Sequence, residues 1–235
     1  MGELVRTITE NLARIQARIA EAAARAGRKA DAVRLLGVTK YVGQRETRAL
    51  FESGCTALGE NRPQQLCSKA EALGDLPIEW HMIGHLQRNK VRRVVPLVAM
   101  IESIDSARLL AAVDRIAEEL RRRVPVLLEI NIAGEAQKHG LAPDQLRPLV
   151  ETLGDYRHVE VRGLMAMASL EGGVGAARGD FTALRQLRDR AQADCPEGVT
   201  LGELSMGMSG DFEAAIEEGA TIVRIGSALF ERIDR

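Results

Sequence analysis

The sequence predicts one (β/α)8 barrel, an α/β fold in which helices surround a closed cylinder of eight parallel strands, with an additional N-terminal helix. Short apolar runs alternate with stretches of helical periodicity, and the runs are apolar at nearly every position, as in strands covered on both faces. No low-complexity linker interrupts the alternation, so residues 1–235 predict a single domain. An open, doubly wound sheet is the alternative that the same alternation allows.

The elements follow one another in a regular order. Residues 3–26 carry apolar side chains at helical spacing and predict the N-terminal helix, which Gly27 ends. Apolar runs predict strands at 33–39, 56–60, 78–83, 98–104, 124–132, 159–167, 199–206 and 221–226. Helical patterns predict helices at 44–53, 62–73, 87–95, 106–122, 143–153, 180–193 and 211–218. The glycine-rich stretch 172–175 predicts a mobile loop after the sixth strand.

Composition excludes several classes of protein. The chain is 46% hydrophobic and only 3% aromatic, so we expect an aliphatic core. A formal net charge of −1 gives no electrostatic reason to expect a nucleic-acid partner. Three cysteines, without a close C-x-x-C pair, favour reduced thiols. With neither an apolar run near the roughly 18 residues of a membrane span nor a signal-peptide core, we expect a cytoplasmic protein with no membrane partner.

Lys40 ends the first predicted strand, and strand ends converge on the mouth of a barrel. It is one of five lysines among 32 basic residues, and it alone closes an apolar run. Because desolvation disfavours a charged amine, this position favours the neutral amine that Schiff-base chemistry requires. An ordinary solvated charge at a strand end is the alternative.

The last two strand ends predict an anion site. Ser205, Gly207 and Ser209 follow the seventh strand, and Gly226 and Ser227 follow the eighth. Glycines permit close backbone approach, hydroxyls donate hydrogen bonds, and barrels of this class commonly bind phosphate at these two loops. The alternative is that these residues only form turns and caps.

Arg224 and two histidines complete the candidates. Arg224 lies inside an apolar run and cannot lose its charge, so it needs an acceptor, either a neighbouring carboxylate or a ring nitrogen of a ligand. His81 and His85 are four residues apart, but their segment predicts a strand leading into a loop. No carboxylate or cysteine has metal-site spacing to them, so we predict no metal site.

Eight segments of the chain together resemble a known family. They are LLGVTK (35–40), LGEN (58–61), EWHMIGHLQRNK (79–90), IDS (104–106), EIN (129–131), RGLMAM (162–167), SMGMSGDFEAAIEEGA (205–220) and VRIGSALF (223–230). In these segments the chain is similar to the pyridoxal phosphate (PLP) homeostasis family, single-domain relatives of the barrel domain of fold type III alanine racemases. The resemblance extends from the first strand to the last.

The resemblance implies a role for each matching residue. Lys40 corresponds to the lysine that forms an aldimine with PLP, and Arg224 to the arginine that faces the pyridine nitrogen. The implied phosphate cradle is Ser205, Gly226 and Ser227, and the implied lining residues are Asn61, Met206 and Met208. Thr39 and Tyr41 flank the lysine where many relatives have Ser and Thr, a departure that leaves the implied aldimine in place.

The implied chemistry favours a carrier over an enzyme. An arginine at the pyridine nitrogen disfavours its protonation and weakens the ring as an electron sink. Racemisation also needs two acid/base groups, and the two-domain racemases take the second, a tyrosine, from a C-terminal domain of the partner subunit. The chain ends at Arg235, and we expect that domain to be absent. If the first strand continues through residue 41, we expect Tyr41 to point away from Lys40, and we expect Tyr156 to lie at the other end of the barrel.

The expected function is therefore non-catalytic PLP binding in vitamin B6 and amino/keto-acid homeostasis. We expect a monomer, with PLP-dependent apo-enzymes as possible recipients of the cofactor. A PLP-dependent amino-acid racemase is the main alternative. A phosphosugar enzyme on the same barrel, without an aldimine, is a further one.

Overall fold

The strands close into a barrel in the order in which they occur along the chain. The structure is a computed structural model that describes residues 2–135, 137–169 and 172–233. All neighbouring strands pair in parallel, and β1 also pairs with β8, which closes the cylinder. The strands are β1 (Arg34–Val38), β2 (Ala57–Glu60), β3 (Glu79–Met82), β4 (Met100–Ile104), β5 (Val124–Glu129), β6 (Val159–Met165), β7 (Glu203–Ser205) and β8 (Ile222–Ile225). Each lies within a predicted run, so the barrel prediction is confirmed.

Helices connect the strands on the outside of the barrel. They are α1 (Gly2–Arg25), α2 (Gln44–Glu52), α3 (Pro63–Ala72), α4 (Val91–Val94), α5 (Ala107–Glu119), α6 (Pro143–Val150), α7 (Gly173–Gln192) and α8 (Phe212–Glu217). Where one helix was predicted over 87–95, a 3-10 turn at Arg88–Lys90 precedes the short α4.

The prediction of a loop at 172–175 is wrong. Gly172, at φ 90°, precedes the first residue of α7, and the helix begins at Gly173. The first turns of α7 are exposed up to Ala177, the first buried residue of the helix. An exposed helix segment needs no stripe of apolar residues. The sequence therefore shows no helical pattern of apolar residues over these turns.

Helix α1 fills the place of a helix after β8. Beyond β8 the described chain forms a 3-10 turn, Ser227–Phe230, instead of an α-helix. Helix α1 packs against α8, α2 and this turn. Buried Asn11 of α1 donates hydrogen bonds from Nδ2 to the carbonyl oxygens of Leu229 at 3.1 Å and Glu231 at 2.8 Å. The N-terminal helix therefore closes the outer ring and fixes the segment that follows the last strand.

The core has an outer and an inner part, both largely aliphatic as predicted. The outer part lies between strands and helices, and the inner cluster inside the barrel is Leu36, Ala57, Met100, Leu127, Met165 and Ile222. Charged side chains are also buried: Glu60, Lys69, Glu102, Glu129 and Arg224. Because a buried charge is costly without partners, these five side chains mark the polar contacts of the interior.

Two further features bear on the class of protein. None of the helices within the described residues has the length and apolar character to cross a membrane. Cys55, Cys67 and Cys195 are free thiols. Burial raises the pKa of the Cys55 thiol to about 12, so this side chain acts as a small apolar group rather than as a nucleophile.

Candidate functional site

A cavity of about 370 Å³ opens at the carboxyl end of the barrel. Its volume lies in the range of about 300–1,000 Å³ that is typical of small-molecule sites. Seven of the residues predicted from the sequence line it: Lys40, Asn61, Met208, Ser209, Arg224, Gly226 and Ser227. The strand order alone brings these residues together, since they lie at or just after the carboxyl ends of β1, β2, β7 and β8 in a closed parallel barrel.

The amine of Lys40 contacts the Tyr41 ring and is otherwise free in the described chain. Lys40 is half-buried, and its Nζ lies 4.9 Å from the centroid of the Tyr41 ring. Within the described residues it has neither a hydrogen bond nor an ion pair. Lys40 is not the most buried lysine of the described chain, because Lys69 has only 6% of its surface exposed.

A buried network lies directly behind Lys40, formed by Thr39, Glu60 and Lys69. Lys69 donates from Nζ to Glu60 Oε1 at 2.5 Å and to the Thr39 carbonyl oxygen at 2.8 Å. The Thr39 hydroxyl donates to the same Glu60 oxygen at 2.7 Å. The network holds the main chain one residue before Lys40 while leaving the Lys40 amine free. The sequence concealed this role, because Lys69 occurs among polar residues of a helix.

A second buried network holds Arg224 through His81, Glu102 and Ser205. Arg224 donates from Nη1 to Ser205 Oγ at 2.7 Å and from Nη2 to the Ala166 carbonyl oxygen at 2.8 Å. Ser205 Oγ donates to Glu102 Oε2 at 2.5 Å, and Glu102 Oε1 lies 2.6 Å from His81 Nδ1. Arg224 therefore donates to a hydroxyl and a carbonyl oxygen, and the hydroxyl in turn donates to the carboxylate of Glu102. Nε of Arg224 has no acceptor within the described residues.

The electrostatics of this second network favour a charge pair. Burial lowers the pKa of Arg224 from its usual value, and the charges of Glu102, Glu129 and Asp211 oppose that shift. Burial alone would raise the pKa of Glu102, but the hydrogen bond and charge of His81 and the charge of Arg224 outweigh it and leave this pKa lowered. Glu102 is therefore ionised, and Arg224 presents a fixed positive charge to the cavity.

Glu129 is a cavity residue that sequence reasoning missed. It ends β5, lines the cavity and has 4% of its surface exposed. Its Oε2 is buried without a hydrogen-bond partner in the described chain. Burial, with a contribution from the charge of Asp105, raises the pKa of Glu129 to about 7 against the opposing charge of Arg224. The available signal was its place in the EIN segment, to which no role was assigned.

The turns after β7 and β8 supply hydrogen-bond donors. Gly207 begins the first turn at φ 91°, where a Cβ would lie 2.6 Å from the Cβ of Ala215, so the turn requires glycine. The Ser209 hydroxyl accepts from the Gly226 amide at 3.3 Å and ties the two turns together. The amide groups of Ser209 and Gly210 donate to no acceptor in the described chain. Both residues line the cavity, so these amides are available to an anion.

This geometry agrees with what the chain is similar to. Residues 5–232 match the family described as alanine racemase, N-terminal domain. The pyridoxal phosphate homeostasis protein of Aquifex aeolicus is 42% identical over 221 residues, which cover 94% of this chain and 96% of that protein. The protein of the same name from Pseudomonas aeruginosa is 40% identical over 227 residues, with 95% of each chain covered. The chain belongs to the pyridoxal phosphate homeostasis family.

Solved structures agree with this membership. PipY of Synechococcus elongatus, in a structure with PLP bound, has a TM-score of 0.83 at 34% identity, covering 95% of this chain and 99% of PipY. A protein of unknown function from Bifidobacterium adolescentis has a TM-score of 0.89 at 38% identity, covering 98% of this chain and 97% of its own. Alanine racemase of Streptomyces lavendulae shares only the fold, with a TM-score of 0.72 at 18% identity; the match covers 96% of this chain and 57% of the racemase.

Two residues that the family resemblance assigned to the site lie away from the cavity wall. Ser205 is fully buried, and its hydroxyl is already committed to Arg224 and Glu102. Met206 is fully buried in the outer part of the core. The placement of Ser205 in the phosphate cradle does not fit this geometry, and Ser209 is the serine of this turn that faces the cavity.

The expectation that Tyr41 points away from Lys40 is wrong. Strand β1 ends at Val38, so the alternation of a strand does not continue through residues 40 and 41. Tyr41 instead lines the mouth of the cavity, with 76% of its surface exposed. His85 and His139 line the same mouth. The cavity therefore has more groups capable of proton transfer than the sequence indicated.

Asn61 lines the cavity beside a close backbone contact. A Cβ on Gly84 would lie 2.3 Å from the Asn61 carbonyl oxygen, so the β3 loop can approach the β2 end only with glycine at this position. Gly84 also accepts, through its carbonyl oxygen, a hydrogen bond of 2.7 Å from the Ser103 hydroxyl. These contacts hold this part of the wall in place.

Proposed function

We propose that this protein binds PLP covalently as an aldimine on Lys40, and that it serves PLP homeostasis without catalytic turnover. The observation that carries the proposal is the Lys40 amine, which has no hydrogen bond or ion pair in the described chain and shares one cavity with the fixed charge of Arg224 and the free amides of Ser209 and Gly210. The names of the close relatives and the PLP bound to PipY support the same conclusion.

The residues present fit the cofactor. When bound, PLP supplies an aldehyde for a lysine amine, a pyridine nitrogen and a phosphate. Lys40 is a suitable amine, and Nε of Arg224 is free to face the ring nitrogen. Ser209, Gly226 and Ser227 suit the phosphate, with Ser209 in the role first assigned to Ser205. Buried Glu129 remains as a polar group for the ring substituents.

Arg224 supports holding the cofactor rather than using it. A guanidinium that cannot lose its charge disfavours protonation of the pyridine nitrogen, which weakens the ring as an electron sink. Asn61 and Met208 complete the lining. The proposed protein is a monomer that retains PLP in the cytoplasm and passes it to PLP-dependent apo-enzymes.

The test is a visible absorbance band and a covalent adduct. Protein incubated with PLP is scanned, reduced with borohydride and mapped by mass spectrometry. We expect an adduct on Lys40 and loss of the band in Lys40→Ala. Lys90→Ala, a substitution outside this cavity, is the matched control and should retain both. Absence of an adduct on Lys40 contradicts the proposal and favours a phosphosugar enzyme.

One observation favours a second candidate, a PLP-dependent amino-acid racemase. Tyr41, His85 and His139 line the cavity mouth, where one of them could act as the second acid. Incubation with individual L-amino acids, followed by chiral chromatography, distinguishes the candidates. D-isomer formation above the Lys40→Ala level, lost in Tyr41→Phe or His85→Gln, would replace the carrier proposal with the enzyme.

A further inference from the structure

Three metal-ligating side chains meet at the rim of the cavity. His85 follows β3, Asp105 follows β4, and His139 lies in the connection after β5. One ligand atom from each lies within 4.8 Å of the others. Their spacing along the chain does not group them, since they follow three different strands.

The three ligand atoms lie close enough for rotation of the side chains to direct them to one ion. His85 Nδ1 lies 2.9 Å from Asp105 Oδ2. The rings of His85 and His139 are stacked, with centroids 4.0 Å apart and an interplanar angle of 11°. Ligand atoms about 2.1 Å from one ion are at most about 4.2 Å apart. Both histidines are exposed, so rotation of their rings can close the remaining distance and direct the nitrogens to one point.

The carboxylate of the cluster is already oriented. Ser106 donates from Oγ to Asp105 Oδ1 at 3.0 Å, which leaves Oδ2 toward His85. Metal-binding carboxylates commonly have such a supporting hydrogen bond.

We propose that His85, Asp105 and His139 bind a divalent transition-metal ion at the cavity rim. Two imidazoles and one carboxylate are ligands that suit Zn²⁺ and Co²⁺, and three protein ligands leave coordination positions open. His81 is excluded from this site because it is buried and pairs with Glu102 at 2.6 Å. The ion site is independent of the covalent chemistry proposed for Lys40.

The test is a metal titration of the full chain after treatment with a chelator, with and without PLP. Zn²⁺ binding is followed by calorimetry, and the ligand field is followed by the visible absorption of Co²⁺. We expect one equivalent in the wild type and at least about tenfold weaker binding in His85→Gln, Asp105→Asn and His139→Gln. Because His139 lies on an exposed loop, His139→Gln should fold normally and decides the case if another variant does not fold.

Three control variants identify other sources of binding. His158→Gln removes a histidine outside the cluster and should leave binding unchanged. Lys40→Ala prevents metal chelation by a lysine-bound cofactor, and Cys67→Ser removes a partly exposed thiol. Retained binding in all three supports the site, even if the PLP proposal fails. Unchanged affinity in His139→Gln, or loss in Lys40→Ala or Cys67→Ser, overturns it.

Discussion

The two buried networks below the cavity hold their cationic residues in different ways. On one side, Thr39, Glu60 and Lys69 hold the main chain before Lys40 and leave its amine free. On the other side, His81, Glu102 and Ser205 end on the guanidinium of Arg224 itself. The group proposed to form a covalent bond is positioned through its backbone, while the group that presents a fixed charge is held by its side chain.

Because of this difference, substitutions of the three cationic residues should change the stability of the protein by different amounts. A buried ion pair adds little net stability, because the loss of hydration offsets the attraction, but removal of one partner leaves an uncompensated charge. Without Lys69, Glu60 would be left in this state. Without Arg224, Glu102 would keep His81 and Ser205 but lose one of the charges that lower its pKa. Lys40 forms no ion pair within the described residues. Substitution of Arg224 should therefore mainly reduce stability, whereas substitution of Lys40 should mainly remove covalent binding of the cofactor.

The largest expected loss of stability is that of Arg224→Gln. Because Glu102 would lose the charge of its guanidinium neighbour, the free energy of unfolding should fall by about 3–5 kcal/mol. Urea denaturation of cofactor-free protein measures this loss. A decrease below about 1 kcal/mol, the size of an ordinary surface effect, would mean that Arg224 is not part of a charge pair.

The Lys69→Met variant should be next in size. It leaves Glu60 buried without its ammonium, so we expect a loss of about 3 kcal/mol and weaker PLP binding as the main chain before Lys40 loosens. The double variant Lys69→Met/Glu60→Gln removes the charge as well and should recover part of the stability. If the double variant is no more stable than the single one, electrostatic compensation is not the cause. Urea denaturation and titration of the visible band measure the two effects.

Glu129 belongs to neither network, and its buried Oε2 has no hydrogen-bond partner in the described chain. The stability of the protein should therefore depend on the protonation of this side chain. Its folded pKa of about 7 lies above the ordinary value of 4.5. The folded state therefore binds more protons between these values, and stability is lost as pH rises through about 7. Glu129→Gln should remove this loss and be more stable than the wild type at pH 8 by about 3 kcal/mol. Chelator-treated, cofactor-free protein is compared by urea denaturation at pH 5 and pH 8; an equal difference at both would contradict the assignment.

Lys40→Ala should have the smallest effect on stability and the most complete effect on the cofactor. Since the Lys40 amine contacts only the exposed Tyr41 ring in the described chain, the free energy of unfolding should change by less than about 1 kcal/mol. The visible band should be lost entirely. A loss of stability comparable to that of Lys69→Met would show that the amine of Lys40 is not free.

The fold was predictable because its signals are local. Each strand is an apolar run that can be recognised without its neighbours, and their alternation with helices limits the topology. The missed start of α7 lies where exposed turns carry no apolar stripe. Lys40 and Arg224 were found because a charge at or inside an apolar run is unusual. Lys69 was missed because its partner, Glu60, is supplied by another element.

The sequence by itself determined the barrel, the order of its strands, and the two cations at its mouth. Only the tertiary structure decided which polar groups are committed and which are free: Ser205 holds Arg224, and Ser209 faces the cavity. It also brought together His85, Asp105 and His139 from three strand ends. The physical reason is that a closed parallel barrel brings residues distant in sequence to one rim, where contacts depend on side-chain reach rather than on spacing along the chain.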